Sequence, residues 1–382
     1  MIPVMRPWLG HEEAEAAAET VASGWIAQGP RVREFEDAFA AAIGTPHAVA
    51  VSSCTTALHL ALIAAEIRPG DEVIVPSLSF IATANAVRYV GAQPVFADVD
   101  LATQNLIPQT VEPHLTGRTR AVILVDQGGV PADLDAVRAL CDLHQVTVIE
   151  DAACAVGSTY RARPAGAGAA LAAFSFHPRK LLTTGEGGMV TTWDGSIAVR
   201  LRRLREHGMD ISAADRHRSQ QPVIEHYTEV GFNYRMTDIQ AAIGLAQLRK
   251  LPEMVARRRA LARRYQELLS CIPSLLTADD PPYGETNYQS FWMLLPEEPA
   301  VDRDNLLRLL ADAGISARRG IVAAHLEPAY VDAKPSLPVT ERLTSRSLIL
   351  PLFHQMTDSQ QKHVVSVVVA ALANSTRAKS VP

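Results

Sequence analysis

Short apolar segments alternate with helical segments over the first half of this chain. The helical segments Ile81–Val90 and Leu134–His144 are the clearest. The apolar runs are Glu72–Val75, Pro94–Ala97, Ala121–Val125, Val146–Ile149, Leu171–Phe176 and Met189–Thr191. Such alternation is typical of βαβ units, so we predict an α/β fold with a mostly parallel, buried central sheet. Ligands of these sheets bind at the carboxyl ends of the strands.

The second half of the chain has a more helical pattern. Thr237-Asp238-Ile239-Gln240 is a capping box that opens a helix through Leu248, and Pro252 is expected to separate this helix from a second, long helix. We therefore predict a large domain over residues 1–250 and a smaller C-terminal α/β domain over residues 251–382. The polar segment Asp210–Glu229 is a candidate substrate loop.

Composition excludes several classes of protein. The net charge of −5 gives no indication of nucleic-acid binding, and the arginines of residues 257–264 are interpreted as a solvated helix face. The wide spacing of the four cysteines predicts neither a metal site nor a disulfide framework. Residues 1–7 lack the apolar region of a signal peptide, and the apolar run Val364–Ala373 is too short to span a bilayer. We expect a cytoplasmic protein with no membrane partner.

A single lysine follows one of the predicted strands. The strand Leu171–Phe176 leads into a polar turn that carries Lys180, and the glycine-rich segment Gly185–Gly188 comes next. Lysine is scarce in this chain, and arginine supplies nearly all of its positive charge. Lys180 is a candidate for a Schiff base with an aldehyde cofactor. A surface lysine in a loop is the alternative.

Hydroxyl residues follow the strand that ends near Val51. The segment Ser52–Thr56 leads directly into an Ala/Leu-rich helix. Free backbone N–H groups and the positive end of the helix dipole favour a phosphate at such a helix start. An ordinary Ser/Thr N-cap is the alternative.

Asp151 follows another buried strand. Its carboxylate could form an ion pair, bind a metal, or hold a protonated pyridine nitrogen. No histidine or carboxylate cluster lies nearby in sequence, which disfavours a metal. Asp151, Lys180 and the segment Ser53–Thr56 together fit pyridoxal phosphate, with the ring nitrogen, the aldehyde and the phosphate at these three places. Phe80 could stack on the ring or pack in the core.

The chain resembles the DegT/DnrJ/EryC1/StrS family of pyridoxal phosphate-dependent aminotransferases, which mostly act on nucleotide sugars. It looks nearest to the type that synthesises UDP-4-amino-4-deoxy-L-arabinose with glutamate as amino donor. The motifs that carry the resemblance run in family order and are Gly24-Trp25-Ile26 with Gly29-Pro30, Val51-Ser52-Ser53 with Ala57-Leu58-His59, Pro76-Ser77-Leu78-Ser79-Phe80, Ile149-Glu150-Asp151-Ala152-Ala153, Phe174-Ser175-Phe176-His177 with Lys180, Gly185-Glu186-Gly187-Gly188, Asn233-Tyr234-Arg235-Met236-Thr237-Asp238, and Leu350-Pro351-Leu352-Phe353.

The resemblance implies a type I aminotransferase fold and residues that hold the cofactor. Lys180 would form the internal aldimine and then shuttle a proton, Asp151 would bind the ring nitrogen, and Phe80 would stack on the ring. Burial and the nearby pyridinium are expected to keep the Lys180 amine partly neutral. Cys154 stands near the cofactor, where relatives often have Gln or His. Residues 126–129 and 320 also depart from the family, on the expected substrate side.

The resemblance further implies a homodimer with shared active sites. Thr55 and Thr56 would hold the phosphate with the help of Ser175, and Asn233 would reach it from the neighbouring subunit. His325 falls where the family has a histidine on the substrate side, and a core histidine is the alternative.

The implied reaction moves an amino group from glutamate, or glutamine, to a nucleotide-linked keto-sugar. It passes through pyridoxamine phosphate and releases 2-oxoglutarate. The acceptor could instead be a cyclitol or another secondary-metabolite ketone. A sugar dehydratase of the same family is a further alternative, although such members carry His in place of the lysine at position 180. A non-catalytic protein with this fold is the last alternative.

Overall fold

The computed structural model describes residues 1–212, 221–272, 274–330 and 335–373. Part of the predicted substrate loop, residues 213–220, lies outside the described residues. The N-terminal strands are β1 (His47–Val51), β2 (Glu72–Pro76), β3 (Gln93–Ala97), β4 (Thr119–Val125), β5 (Thr147–Asp151), β6 (Thr159–Tyr160), β7 (Arg163–Pro164), β8 (Leu171–Ser175) and β9 (Gly188–Thr192). The helices among them are α1 (His11–Ser23), α2 (Pro30–Ile43), α3 (Cys54–Ala64), α4 (Ala82–Tyr89), α5 (Pro108–Val111), α6 (Leu134–Leu143) and α7 (Gly195–Leu204).

The C-terminal part begins with a long helix and then alternates strands with helices. Its elements are α8 (Asp238–Leu269), β10 (Leu276–Thr277), β11 (Gly284–Glu285), β12 (Phe291–Leu294), α9 (Arg303–Asp312), β13 (Arg318–Arg319), α10 (Pro338–Arg346), β14 (Ser347–Leu350) and α11 (Asp358–Ala373). Short 3-10 turns occur at Glu112–His114, Gln127–Gly129, Ala324–Leu326 and Pro328–Tyr330.

The central sheet of the described chain has seven strands in the order β1-β9-β8-β5-β4-β2-β3. Strands β8, β5, β4, β2 and β3 are parallel to their neighbours in this series. Strand β9 runs antiparallel to both β8 and β1. The predicted α/β fold with a mostly parallel sheet is therefore confirmed.

Both faces of this sheet are buried. In β2, Ile74 belongs to one apolar cluster, while Val73 and Val75 belong to the cluster on the other face. Helices α2, α6 and α8 contribute to the first cluster, and α3, α4 and α7 contribute to the second. A sheet covered on both faces needs apolar residues at successive positions, which explains the continuous apolar runs in the sequence.

A second, antiparallel sheet has the order β10-β12-β14-β13. Helices α9 and α11 contribute the buried residues Leu306, Leu310, Val364 and Val368 to the core beside it. A third small sheet pairs β11 with the β6–β7 hairpin. No helix of the described residues is both long enough and apolar enough to cross a membrane.

Helix α8 runs from Asp238 to Leu269 with Pro252 inside it, so the prediction that Pro252 ends a helix was wrong. A proline in a helix removes one N–H donor. Packing compensates, because α8 buries Met254, Leu261 and Tyr265 beyond the proline. The predicted boundary between residues 250 and 251 falls inside this helix, and the division into two domains stays a prediction.

Among the arginines of residues 257–264, Arg263 is exposed and the other four contact other segments, which corrects the interpretation of a solvated helix face. Arg258 is buried, and Arg257 donates hydrogen bonds to the carbonyls of His354 and Met356. Arg259 forms an ion pair with Asp280 at 2.7 Å. These contacts join α8 to segments up to about a hundred residues later in the chain, a packing that the sequence pattern does not reveal.

Candidate active site

One edge of the central sheet gathers most of the predicted site residues. Gly188, the first residue of β9, pairs with Val51 at the end of β1 and with Ser175 at the end of β8. Asp151, the last residue of β5, pairs with Ala173, two residues before Ser175. Because β9 is antiparallel, its first residue lies at the carboxyl ends of its neighbours. The turns that carry the predicted cofactor contacts therefore start from adjacent strand ends.

The hydroxyl turn before α3 is an N-cap as well as a candidate anion site. Ser53 Oγ accepts a hydrogen bond from the Thr56 N–H at 3.2 Å, and Thr56 Oγ1 accepts one from the Ser53 N–H at 3.1 Å. The Thr56 hydroxyl also donates to the Ser53 carbonyl at 2.8 Å. The N–H groups of Cys54 and Thr55, in the first turn, have no acceptor within the helix and are available to a phosphate.

Gly188 lets β9 begin against the start of α3. A Cβ at this position would lie 2.5 Å from the carbonyl carbon and oxygen of Ser53 and 2.7 Å from the nitrogen of Cys54. Such distances are too short for any side chain. The glycine therefore keeps the backbone of the anion turn close to the β8–β9 loop, and this close approach fits a cradle for a phosphate.

The loop between β8 and β9 is closed by hydrogen bonds around Phe176. The Phe176 N–H donates to the Gly187 carbonyl at 2.9 Å, and the Phe176 carbonyl accepts from the Thr184 N–H at 3.0 Å and from the Thr183 hydroxyl at 2.8 Å. Lys180 lies within this loop, and its own N–H donates to the His177 carbonyl at 2.8 Å. The loop thus presents Lys180 on a backbone that its own residues brace.

Lys180 Nζ lies 3.0 Å from Cys154 Sγ. Burial lowers the pKa of the Lys180 ammonium, but the neighbouring groups Cys154, Cys54 and Asp151 raise it, and the net direction is upward. Burial therefore acts in the expected direction but is outweighed in the chain alone. The expectation of a partly neutral amine also invoked the pyridinium of the cofactor, and it stays a prediction.

Asp151 is buried, and both of its carboxylate oxygens have donors. Oδ2 accepts from the Thr83 hydroxyl at 3.1 Å, and Oδ1 accepts from the Ala153 N–H at 3.2 Å. Burial raises the pKa of Asp151, while Lys180 and the two donors act in the opposite direction. The two hydrogen bonds fix the carboxylate in one orientation. Sequence reasoning missed Thr83, which lies in the first turn of α4, the helix that follows β2.

Phe80 follows β2, and 72% of its surface is exposed. The alternative that Phe80 packs in the core is therefore wrong. An exposed aromatic ring at a strand end suits stacking on a flat ligand. Stacking on the cofactor itself stays a prediction.

The other predicted contacts of the phosphate lie at the same edge or on the surface. Ser175 is buried, and its Oγ accepts a long hydrogen bond of 3.4 Å from the His177 N–H. Thr55 is half-buried in the first turn of α3. Asn233 is exposed, and its backbone forms an isolated β-bridge with Glu206. Its predicted reach to a neighbouring subunit is not tested by a single chain.

His325 is enclosed between two segments. Its Nδ1 lies 2.6 Å from the Ser77 hydroxyl, and its Nε2 lies 3.5 Å from Glu341. The Ala324 N–H also donates to the Ser77 carbonyl at 2.7 Å. The side chain is only 2% exposed. The histidine thus joins the strand end before Phe80 to the C-terminal part, and a contact with substrate stays a prediction.

The segment after β4, which departs from the family pattern, points into the protein. Asp126 and Gln127 are buried. Asp126 Oδ1 accepts from the Ala132 N–H at 2.9 Å, and Gln127 Nε2 donates to the Leu78 carbonyl. Gly320 is buried too, and the Ser347 side chain fills the space where its Cβ would lie. These departures lie in packing positions, so they say little about the substrate.

The residues at this edge fit pyridoxal phosphate by their chemistry. They offer an amine for the aldehyde, a carboxylate with an ordered orientation for the ring nitrogen, and helix N–H groups with a glycine-lined approach for the phosphate. The described residues contain no group of three or more His, Cys, Asp or Glu side chains that could hold a metal.

Comparison with known proteins shows the family of the chain. Residues 7–369 match the model of the DegT/DnrJ/EryC1/StrS aminotransferase family. The chain is similar to the aminotransferase TlmJ from Streptoalloteichus hindustanus, with 38% identity, a TM-score of 0.90, and coverage of 98% of this chain and 100% of TlmJ. It is similar to the sugar aminotransferase CalS13 from Micromonospora echinospora, with 30% identity, a TM-score of 0.87, and coverage of 97% and 100%.

A third similar structure is Spr1654 from Streptococcus pneumoniae in its PMP form. It has 26% identity, a TM-score of 0.92, and coverage of 98% of this chain and 100% of Spr1654. A PLP form of the same protein also matches, at 25% identity and a TM-score of 0.89. The expected type I aminotransferase fold is confirmed by these neighbours. The chain belongs to the DegT/DnrJ/EryC1/StrS aminotransferase family, whose enzymes depend on pyridoxal phosphate.

Proposed function

We propose that this aminotransferase moves an amino group from glutamate, or glutamine, to the keto group of a nucleotide-linked sugar. The observation that carries the proposal is the position of Lys180, whose amine lies among Cys154, Cys54 and Asp151 beside the strand ends. Among the similar structures, CalS13 is a sugar aminotransferase, which supports a sugar as the acceptor.

In this proposal the residues divide the work of holding the cofactor. The N–H groups of Cys54 and Thr55, with the hydroxyls of Thr55, Thr56 and Ser175, would hold the phosphate. Asp151 would hold the ring nitrogen, and Phe80 would cover one ring face. Pyridoxal phosphate supplies the aldehyde that carries the amino group and a ring that stabilises negative charge at the reacting carbon.

Lys180 is the proposed catalytic residue. Its Nζ would carry the proton from the donor's Cα to the cofactor carbon, and the reverse during transfer to the acceptor. A base must be unprotonated, whereas Cys154 and Asp151 raise the pKa of this amine. The amine must therefore lose a proton that its neighbours help to retain. Amino transfer should accelerate with rising pH until Nζ is deprotonated.

A homodimer with shared sites is part of the proposal. Asn233 and Phe80 are both exposed in the single chain, although the resemblance assigns both to the cofactor site. A second chain that covers this edge would enclose the site and exclude water. Size measurement by light scattering at micromolar concentration tests this point, and a strictly monomeric active enzyme would contradict it.

The acceptor is tested by mixing the full-length protein with pyridoxal phosphate, glutamate and a panel of ketones. The panel contains nucleotide-linked keto-sugars and keto-cyclitols. We expect 2-oxoglutarate and an amino sugar in equal amounts. An amino-cyclitol would point to the alternative acceptor, and a deoxygenated sugar without amino sugar would point to a dehydratase.

A variant pair tests the role of Lys180 in the same assay. Lys180→Ala should abolish both 2-oxoglutarate formation and the visible absorption band of lysine-linked cofactor. Lys362→Ala is the matched control, because Lys362 is an exposed lysine in α11. A retained band in Lys180→Ala would overturn the assignment. Wild-type protein that binds the cofactor and yields no 2-oxoglutarate with any acceptor would indicate a non-catalytic role.

A further inference from the structure

Two of the four cysteines lie in the neighbourhood of Lys180. Cys154 Sγ is 3.0 Å from Lys180 Nζ, which is contact distance for a charged hydrogen bond to sulfur. Cys54, the first residue of α3, is near enough to contribute to the upward displacement of the Lys180 pKa. The other two cysteines allow a comparison of reactivity within the same chain, because Cys141 is buried and Cys271 is exposed.

Hydrogen bonds hold the backbone near Cys154 and near Lys180, the two residues of the sulfur–nitrogen contact. The Cys154 carbonyl accepts a hydrogen bond from Asn287 Nδ2 at 2.8 Å, and the following Ala155 N–H donates to the Ala152 carbonyl at 2.9 Å. Lys180 lies in the loop that Thr183 and Thr184 close onto Phe176. Cys154 and Lys180 are both half-buried in the single chain, so a molecule as small as hydrogen peroxide can reach them there.

We propose that Cys154 and Lys180 form a peroxide-sensitive sulfur–nitrogen crosslink whenever the lysine is not bonded to the cofactor. This covalent modification is distinct from amino transfer. A thiolate is the form of cysteine that peroxides oxidise. The 3.0 Å separation of Cys154 Sγ and Lys180 Nζ places the amine where it can attack the oxidised sulfur.

The oxidant is hydrogen peroxide, and the step balances as follows. The Cys154 thiolate attacks one peroxide oxygen, the O–O bond breaks, and the departing hydroxide takes a proton from the Lys180 ammonium to become water. Cys154 is then a sulfenic acid beside a neutral amine. The Lys180 nitrogen attacks the sulfur, the S–O bond breaks, and a second water leaves with an amine proton. Sulfur is oxidised by two electrons, and one peroxide is reduced to two waters.

A thiol reductant reverses the link. It attacks the Cys154 sulfur, the S–N bond breaks, and the amine takes up a proton. A second thiol then releases Cys154 from the mixed disulfide. Oxidation would therefore withdraw the amine of Lys180 reversibly. This consequence for the cofactor rests on the proposed function, whereas formation of the link does not.

Mass spectrometry of the full-length protein after treatment with hydrogen peroxide tests the link. We expect a loss of about 2 Da, the mass of two hydrogens, and its recovery after dithiothreitol. Tryptic digestion should join the peptide that ends at Arg161 to the peptide that runs from Lys180 to Arg200. Cys154→Ser and Lys180→Ala should each abolish this joined peptide, and Lys180→Ala should instead accumulate oxygen on Cys154. Cys271→Ser is the matched control and should still form it.

A disulfide between Cys54 and Cys154 would cause the same mass loss, so the peptide map decides between the two. A disulfide would join the Arg161 peptide to the peptide Glu34–Arg88, because trypsin does not cleave between Arg68 and Pro69, and it would disappear in Cys54→Ser. That result overturns the proposal, as does Cys154 oxidation that stops at the sulfenic or sulfinic acid in the wild-type protein. An S–N link that persists in Cys54→Ser supports it.

Loading with pyridoxal phosphate before oxidation separates this inference from the proposed function. If Lys180 bonds the cofactor, loading should suppress the joined peptide in proportion to occupancy. A joined peptide that forms equally with and without the cofactor supports the crosslink but contradicts the proposed role of Lys180.

Discussion

Lys180, which is half-buried, and Arg258, which is buried, are two cations of this chain that have different kinds of partner. Lys180 lies beside Cys154, Cys54 and Asp151, groups that can each lose a proton. Arg258 donates to the carbonyls of Tyr288 at 2.7 Å, Leu352 at 2.9 Å and Gln289 at 2.6 Å.

The pKa displacements follow from those partners. Burial lowers the pKa of Arg258 to about 9, because carbonyl dipoles do not offset the lost hydration. For Lys180, neighbours that can carry negative charge outweigh burial, and its pKa rises. Arg258 still keeps its proton at neutral pH and ties three segments together. Lys180 has partners whose charge can change, which is what a reactive site requires.

The largest expected effect is the loss of activity when Lys180 is replaced. Lys180→Ala should lower the rate of amino transfer by about 10²-fold to 10⁴-fold or more, because it removes the group that moves the proton. Its free energy of unfolding should change little, since one sulfur contact is lost. Rate measurements and urea unfolding on the same preparations check both. A strongly destabilised but active variant would reverse the contrast.

Arg258→Met, in contrast to Lys180→Ala, should lower the stability of the protein. Two buried carbonyls and the half-buried carbonyl of Gln289 lose their donor, so the free energy of unfolding should fall by about 3–5 kcal/mol. Arg263→Met is the control on the exposed side of the same helix, with an expected change within about 0.5 kcal/mol. Denaturant unfolding gives both values. Arg258→Lys, which keeps the charge, should fall between them if the methionine variant does not fold.

Asp151→Asn tests the charge beside Lys180. The carboxylate raises the Lys180 pKa, so its removal should lower that pKa and shift the pH dependence of cofactor bonding toward lower pH. Affinity for pyridoxal phosphate should fall by about 10-fold to 100-fold, the value of a hydrogen bond to a charged group. Thr83→Val removes only one donor to Asp151 and should cost less. Equal affinity in Asp151→Asn and wild type would disconnect Asp151 from the cofactor.

Cys154→Ser should have the smallest effect of the series. Cys154 raises the pKa of Lys180, so its replacement should lower that pKa. Only the neutral amine attacks an aldehyde, and pyridoxal phosphate should therefore bond to Lys180 faster at neutral pH in this variant. Stopped-flow absorbance across a pH series measures the shift. An unchanged pH profile would mean that Cys154, 3.0 Å from Lys180 Nζ, does not affect the pKa of Lys180.

Local patterns were sufficient for the strands, most helices and the places of Lys180 and Asp151. Each of these depends on residues close in sequence: a continuous apolar run predicts a strand buried on both faces, and a polar residue after it predicts a position at the sheet edge. The capping box at Thr237 is likewise local and is confirmed. The same reasoning was wrong for Pro252, because packing along α8 outweighs one missing hydrogen bond.

Contacts between distant segments were beyond the sequence. Nothing near Arg258 indicates that carbonyls thirty and ninety-four residues later will enclose it. Nothing near Cys154 places its sulfur on the amine of Lys180, twenty-six residues later. By itself the sequence determined the α/β fold and the strand ends that carry the site. Only the tertiary structure decided which groups face each cation, because those partners meet only when the strands and helices pack together.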